Sequence, residues 1–288
     1  MNLIQLTDEH MTRSGLRFPR GQYMYPSEAS IKFIDQHGIQ RTEGGCHREI
    51  YYKNYLSGVG AKSTPYQEWI FALGKAVEQI LVEQYKQMGI LVANNMKFQD
   101  VEKHLSGEID VVVKDPETNE LIVLEVKSFF GYNATKDICG NTRVKGSPKV
   151  SQLLQTLIYV DMGMKYNLFS KGKMIYYARD SGNRNEFNIE LTKDGKATRP
   201  VIDGVIDYRF TMEDIYERYN ILWEHLQNKT LPPRDYEFCY SPQKIEQLNT
   251  IGDIGKTAYI DYKKSPTKYP IGDWKCRYCA FPNQCKLE

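Results

Sequence analysis

The stretch 107–128, GEIDVVVKDPETNELIVLEVKS, constrains the fold more than any other part of the chain. Two runs rich in Val, Ile and Leu, 109–114 and 121–127, flank the polar segment DPETNE. Pro and Asn in that segment suit a chain reversal, so the stretch predicts a hairpin. It is the most hydrophobic hairpin of the protein, yet it carries Asp110, Glu125 and Lys127. Side chains alternate faces along a strand, so Glu125 and Lys127 point the same way, and the facing strand can bring Asp110 near them. Two carboxylates that converge repel each other unless a cation sits between them. Oxygen ligands favour Mg²⁺ or Mn²⁺. A lysine beside such a metal can orient a water or stabilise developing negative charge, which is the chemistry of phosphodiester hydrolysis. A solvated hairpin with charges fringing the surface accounts for the same three residues.

The surroundings predict a mixed α/β layout. EWIFALGKAVEQILVEQYKQMG (68–89) has apolar residues at helical spacing and stops at Gly89. A strand is expected within LVANNMKFQDV, and a second hairpin from KMIYYARD and EFNIEL. SPKVSQLLQTLIYVDMGM (147–164) predicts a helix opened by Ser147 and Pro148. TMEDIYERYNILWEHLQNKT (211–230) predicts another, with Thr211 as N-cap. Glu78 lies one turn after Gly74 on the first helix and could supply a third metal ligand. Gln155 and Tyr159 lie four apart on the second, so they share a face.

Bulk properties exclude some classes. Lysine plus arginine is 38 and aspartate plus glutamate 36, which argues against a simple polycation but permits a local basic cleft. The start has no apolar core of signal-peptide length, and no run of about 18 apolar residues occurs. The expectation is a soluble, cytoplasmic protein with no membrane partner. IGDIGKTA (251–258) contains GKT, but its glycines are too close together for a P-loop, so any helicase motor lies on another chain.

Four ordered motifs, Gly74–Glu78, Gly107–Asp110, Glu125–Lys127 and Gln155–Tyr159, resemble the PD-(D/E)xK nucleases of the RecB-like branch. The usual helix histidine is Glu78 here, and the usual proline before the aspartate is absent. The resemblance implies a restriction-endonuclease-like core, a mixed central sheet flanked by helices. It implies catalytic roles for Asp110, Glu125, Lys127, Gln155 and Tyr159, and Mg²⁺ or Mn²⁺ held by Glu78, Asp110 and Glu125. The implied activity is metal-dependent DNA cleavage by an exonuclease, possibly also an endonuclease. The alternative is a DNA-binding or scaffold protein that keeps the fold with a weakened site.

DWKCRYCAFPNQC places Cys276, Cys279 and Cys285 together, and GGCHREIYY supplies Cys46 ahead of the nuclease motifs. One cysteine before the core and three after it resembles the iron–sulfur RecB-like nucleases, including AddB-type nuclease domains and the CRISPR-associated Cas-four family. The resemblance implies that these four ligate a [4Fe–4S] cluster. The alternative is that the four thiolates hold structural Zn²⁺, and His47 is a weak rival ligand. The implied organisation is one domain over 1–288. Its cluster subdomain joins about 40–60 to 231–288, and the nuclease core spans about 61–230. Cys139 and Cys239 are expected to be buried free thiols.

The segment 129–149 follows Lys127 directly. Lys136, Arg143, Lys145 and Lys149, with Phe129, Phe130 and Tyr132 at its head, suit single-stranded DNA: phosphates meet charge and bases stack on rings. A solvated loop is the alternative. The fitting partners are DNA and helicase, recombination or CRISPR adaptation proteins.

Overall fold

The computed structural model describes residues 2–14, 23–56 and 64–287. In chain order the elements are α1 (Leu3–Ser14), β1 (Ser30–Ile34), β2 (Gln40–Gly44), α2 (His47–Tyr55), α3 (Pro65–Gln87), β3 (Leu91–Asp100), β4 (Leu105–Lys114), β5 (Leu121–Phe129), α4 (Tyr132–Cys139) and α5 (Val150–Lys165). There follow β6 (Lys171–Ala178), β7 (Arg184–Asp194), β8 (Ala197–Ile202), β9 (Val205–Ile206), α6 (Met212–Gln227), α7 (Pro242–Thr250), α8 (Lys256–Lys264), α9 (Trp274–Arg277) and α10 (Pro282–Leu287). No described helix is long and apolar enough to cross a membrane.

Strands β3 to β9 form a seven-stranded sheet in sequence order. Every pairing is antiparallel except β5 with β6. A parallel pair needs a crossover, and α4 and α5 provide it. The architecture is therefore mixed α/β, a central mixed sheet flanked by helices. One face packs under α3, where Leu81 meets Val111, Val113, Ile122, Leu124 and Val126. The other face carries α5 and α6, whose Leu153, Leu157, Ile158, Ile215 and Leu222 share a core with Met174 and Phe187.

The expected helices form with local signals in place. Thr64 and Gln67 make a capping box at the start of α3, and Gly89, just past its end, has φ +71°. Thr211 and Asp214 make another at the start of α6. Helix α5 starts at Val150, later than Ser147. The 129–149 segment is not a plain loop: α4 occupies its middle, with Ile138 in the core. Phe129 is buried rather than available for bases. Cys239 is exposed and Cys139 half-buried, so neither is the buried thiol expected. Position 239 lies in a tail whose small core, Ile245, Leu248, Ile254 and Ile271, leaves that backbone at the surface.

The tail is tied to the N-terminal hairpin by buried polar contacts. Asp235, with its side chain 1% exposed, meets Arg218 Nη2 at 2.8 Å and Lys32 Nζ at 3.0 Å. The His47 amide donates to its other oxygen at 2.8 Å. Tyr236 Oη donates to the Gly44 carbonyl at 2.8 Å and Arg48 Nε to that of Pro232 at 2.7 Å. Burial works to raise the Asp235 pKa, but His47, Arg218 and Lys32 outweigh it and the net shift is downward.

Removing one member of a buried charge network strands the others. Asp235→Ala should destabilise the fold by about 3–5 kcal/mol, while Asp235→Asn keeps some of the hydrogen bonding. Because the folded pKa is depressed, this stabilisation is present above the unfolded carboxylate value of about 3.9 and is lost as pH falls toward the lower folded value. Denaturant unfolding of both variants between pH 7 and pH 3 checks this. The penalty of Asp235→Ala should shrink at the acid end, and a pH-independent penalty would exclude the charge argument.

Candidate active site

The β4–β5 ladder runs from Lys114↔Leu121 to Val111↔Leu124 and then stops. The next two residues are Asp110 and Glu125. Beyond them β4 continues against β3, and β5 continues against β6. The Val126 amide, freed where the strands part, donates instead to Asp110 Oδ2 at 3.2 Å. This one bond fixes the Asp110 carboxylate at the fork, beside the strand that carries Glu125 and Lys127.

Glu125 is 0% exposed. The Lys127 ammonium lies against Oε1, and Oε2 has no partner among the described residues. A buried carboxylate normally collects several donors, so one left with a single ammonium on one oxygen is unusual. Burial pushes its pKa up to about 7; Lys127 opposes the rise and Asp110 and Glu78 add to it. Burial also raises Asp110, with Glu78 adding and Lys127 opposing. For Lys127 the order reverses: burial pulls the ammonium down, but Glu125, Asp110 and Glu78 together carry it above its ordinary value. Asp110, Glu125, Lys127 and Glu78 thus form one electrostatic group, as their sequence positions predict.

Glu78 reaches this group from α3, yet it is already paired with Lys75 Nζ at 2.5 Å. That lysine also donates to Asn95 Oδ1 at 3.3 Å. Lys75 and Asn95 were not evident as site residues; Asn95 is held at φ +50° within β3. Among the described residues, no three His, Cys, Asp or Glu side chains are already drawn around a common point. The donor set nonetheless fits a hard divalent cation: two or three carboxylates, one of them buried with an unsatisfied oxygen.

Gln155 and Tyr159 do share a face of α5, but they face each other and the sheet. Gln155 Nε2 donates to Tyr159 Oη at 2.8 Å, and Tyr159 Oη donates to the Glu108 carbonyl at 2.9 Å. This pins β4 two residues before Asp110. Gly107 serves the same strand: a Cβ there would lie 2.7 Å from the ring of Phe98, which packs edge-on against Tyr159. Gly74 is less constrained, since an added Cβ would only touch Ser128 Oγ at 3.4 Å.

The four cysteines lie in one corner of the fold, reached from both chain ends, near enough for Cys46, Cys279 and Cys285 to act on Cys276 but not drawn around one point. Cys46 caps α2, Cys276 lies in α9, Cys279 follows it, and Cys285 lies in α10. Gly44, with φ +96°, lets the chain enter this corner, and any Cβ there would overlap the Ala29 carbonyl. Burial pushes the Cys276 thiol up to about 12, and Asp273, Cys46, Cys279 and Cys285 add to the rise. Burial likewise pushes Cys46 up to about 11 and raises Cys279. Such thiols keep their protons until a metal displaces them. The Phe281 amide donates to Cys279 Sγ at 3.3 Å, and Arg48 Nη1 to Cys285 Sγ at 3.8 Å. His47 instead lies within 3.4 Å of Ser30 Oγ, its pKa lowered by burial to about 4.

The basic residues of 129–149 are spread out. Lys136 lies on α4 and Lys149 caps α5, while Arg143 is exposed in the turn between them. Lys145 is paired with Asp203 at 3.0 Å.

No family model matches the chain, and no curated protein matches it. Among solved structures, one described as "Crystal structure of SSO0001" aligns over 87% of this chain and 96% of its own, at 13% identity and a TM-score of 0.45. A likeness of that size carries no inference about activity.

The raised Glu125 pKa has a sign that stability can test. The folded state holds a proton that the unfolded state releases near pH 4.5, so stability is lost as pH rises from about 4.5 through about 7. Glu125→Gln removes that burden. It should therefore stabilise the metal-free protein more at pH 8 than at pH 5, by on the order of 2–3 kcal/mol in the difference. Equal effects at the two pH values in urea unfolding would show that Glu125 is already ionised in the folded protein at pH 5 and that its pKa is not raised.

Proposed function

We propose that the chain is a metal-dependent deoxyribonuclease with a restriction-endonuclease-like core of the PD-(D/E)xK, RecB-like kind, acting on single-stranded or end-bearing DNA. The observation that carries this is the fork between β4 and β5, where a fully buried carboxylate whose one partner among the described residues is the Lys127 ammonium sits beside Asp110, with Oε2 unpartnered. A buried acid held this way is unfavourable for the fold alone and favourable for cation binding. Asp110, Glu125 and Glu78 would hold Mg²⁺ or Mn²⁺, which supplies Lewis-acid activation of water and charge stabilisation at phosphate.

The chain's own residues would do the rest. Asp110 is aimed by the Val126 amide. Lys127 carries a positive charge that its acidic neighbours keep protonated, so it serves as an electrostatic stabiliser of negative charge on the phosphate rather than as a proton acceptor. Gln155 and Tyr159 are positioning residues, holding the Glu108 carbonyl and with it the strand of Asp110. Glu78 must exchange Lys75 for the cation, so metal binding at this acid competes with an ion pair.

We further propose that Cys46, Cys276, Cys279 and Cys285 ligate a [4Fe–4S] cluster. The placement of the other three thiols in the electrostatic neighbourhood of Cys276 and N–H donors to two sulfurs support it. The cluster would close a loop of 230 residues (276 minus 46), worth on the order of 5 kcal/mol in the chain-entropy model. Its purpose would be a staple.

Protein purified without oxygen, incubated with end-labelled single- and double-stranded DNA and Mg²⁺ or Mn²⁺, should cleave. Asp110→Ala and Lys127→Ala should each reduce the rate about 100-fold or more at a temperature where both variants are folded. Unchanged cleavage by both variants rejects the site, and a folded wild type that binds DNA without cutting supports the scaffold alternative. The same preparation should be brown, and Cys276→Ala should bleach it and lower its stability by about 5 kcal/mol. A colourless protein holding one zinc would replace the cluster but keep the staple.

A further inference from the structure

Arg179 follows the last residue of β6, at the carboxyl end of the parallel pair that carries Lys127. Its amide donates to the Phe129 carbonyl at 2.9 Å, so it is locked to the strand leaving the site. Its side chain is half-buried and turns toward α3. Nη1 donates to Ser128 Oγ at 3.0 Å and reaches the Ile70 carbonyl at 3.5 Å. Ser128 is the residue directly after Lys127, and Ile70 lies two turns before Glu78 on α3, about 12 Å along the helix.

A guanidinium has five N–H donors in a fixed fork. Both contacts of Arg179 use Nη1. Nε and Nη2 find no acceptor among the described residues, and no described carboxylate pairs with the side chain. A half-buried arginine normally recruits an acid. The nearest in sequence, Asp180, accepts instead from the Gly131 amide at 3.0 Å. The result is a cation oriented by the scaffold with its outer donors open. Phe130 and Tyr132, 65% and 81% exposed, lie on the segment that Asp180 holds.

The geometry points to Arg179 as a phosphate-binding residue for a single nucleic-acid strand, taking a phosphate beyond the scissile one while Phe130 and Tyr132 offer faces for its bases. Open N–H donors on one fork suit two phosphate oxygens at once, and exposed rings suit unpaired bases of any sequence. This rests on the proposed nuclease function for the identity of the ligand, but not for the geometry. Arg179 makes its contacts with Ser128 and Ile70 and none with Asp110, Glu125 or Glu78, so its assigned role is to grip the strand.

The test uses the full-length protein with Ca²⁺ in place of Mg²⁺ or Mn²⁺, to bind without cutting. The probe is a fluorescein-labelled single-stranded oligothymidylate of about 15 nucleotides, read by anisotropy across a salt series. Arg179→Gln should raise Kd about tenfold or more and lower the slope of log K against log salt by about 0.7, one phosphate contact, with an unchanged melting temperature. Wild-type affinity and slope in a folded Arg179→Gln overturn the inference. If that variant does not fold, Arg179→Lys replaces it: the charge stays but the fork is lost, so a weaker Kd at unchanged salt slope supports the assignment and wild-type Kd overturns it. Cleavage by the wild type with Mn²⁺ reports separately on the reaction. Arg179-dependent binding without cleavage refutes the nuclease and leaves the grip standing; cleavage with Arg179-independent binding does the reverse.

Discussion

Where β4 and β5 part, the backbone loses a ladder bond and Asp110 takes its place. A sheet that stayed paired would keep the Val126 amide in the ladder and leave Asp110 without its donor. A sheet that opened earlier would lose the apolar cluster of Val111, Leu124 and Val126 that seats α3. The fork sits between these limits. It leaves a carboxylate buried enough for its pKa to rise to about 7, yet next to an ammonium and a second acid. The unfavourable electrostatics of that corner are local, and the surrounding core carries them.

The supports for the fork come from distant parts of the chain. Tyr159 reaches across from α5 to the Glu108 carbonyl, and Gln155 holds Tyr159 in place. Glu78 arrives on a helix whose start is fixed by a Thr64–Gln67 capping box. The N- and C-terminal parts are joined at a second polar hub, Asp235 with Lys32, Arg218 and the His47 amide. The four thiols gather beside it. One hub is satisfied by protein groups alone. At the other, burial raises the thiols of Cys46, Cys276 and Cys279, so these three keep their protons in the absence of a metal.

Much of this was legible in the chain. The 3.6 and 2.0 periods and the caps placed the principal helices and both hairpins within a few residues, because these signals are local. Alternation put Glu125 and Lys127 on one face, and a spacing of four put Gln155 and Tyr159 on another; covalent geometry alone dictates both. Cysteine spacing grouped Cys276, Cys279 and Cys285.

Tertiary structure decided what depends on contacts between distant segments. No local pattern announces that Asp110 would cap the Val126 amide, that Tyr159 would be used by a backbone carbonyl, or that Lys75 would occupy Glu78. Arg179 was silent in the sequence because its meaning lies in donors left open once Ser128 and α3 are in place. The helix α4, inside a stretch that its lysines and glycines made look like a loop, forms because Ile138 reaches the core. The sequence determined which side chains share a face, since bond geometry sets that residue by residue. Packing alone determined which of those faces meet, and so which acids lie close enough to raise one another's pKa.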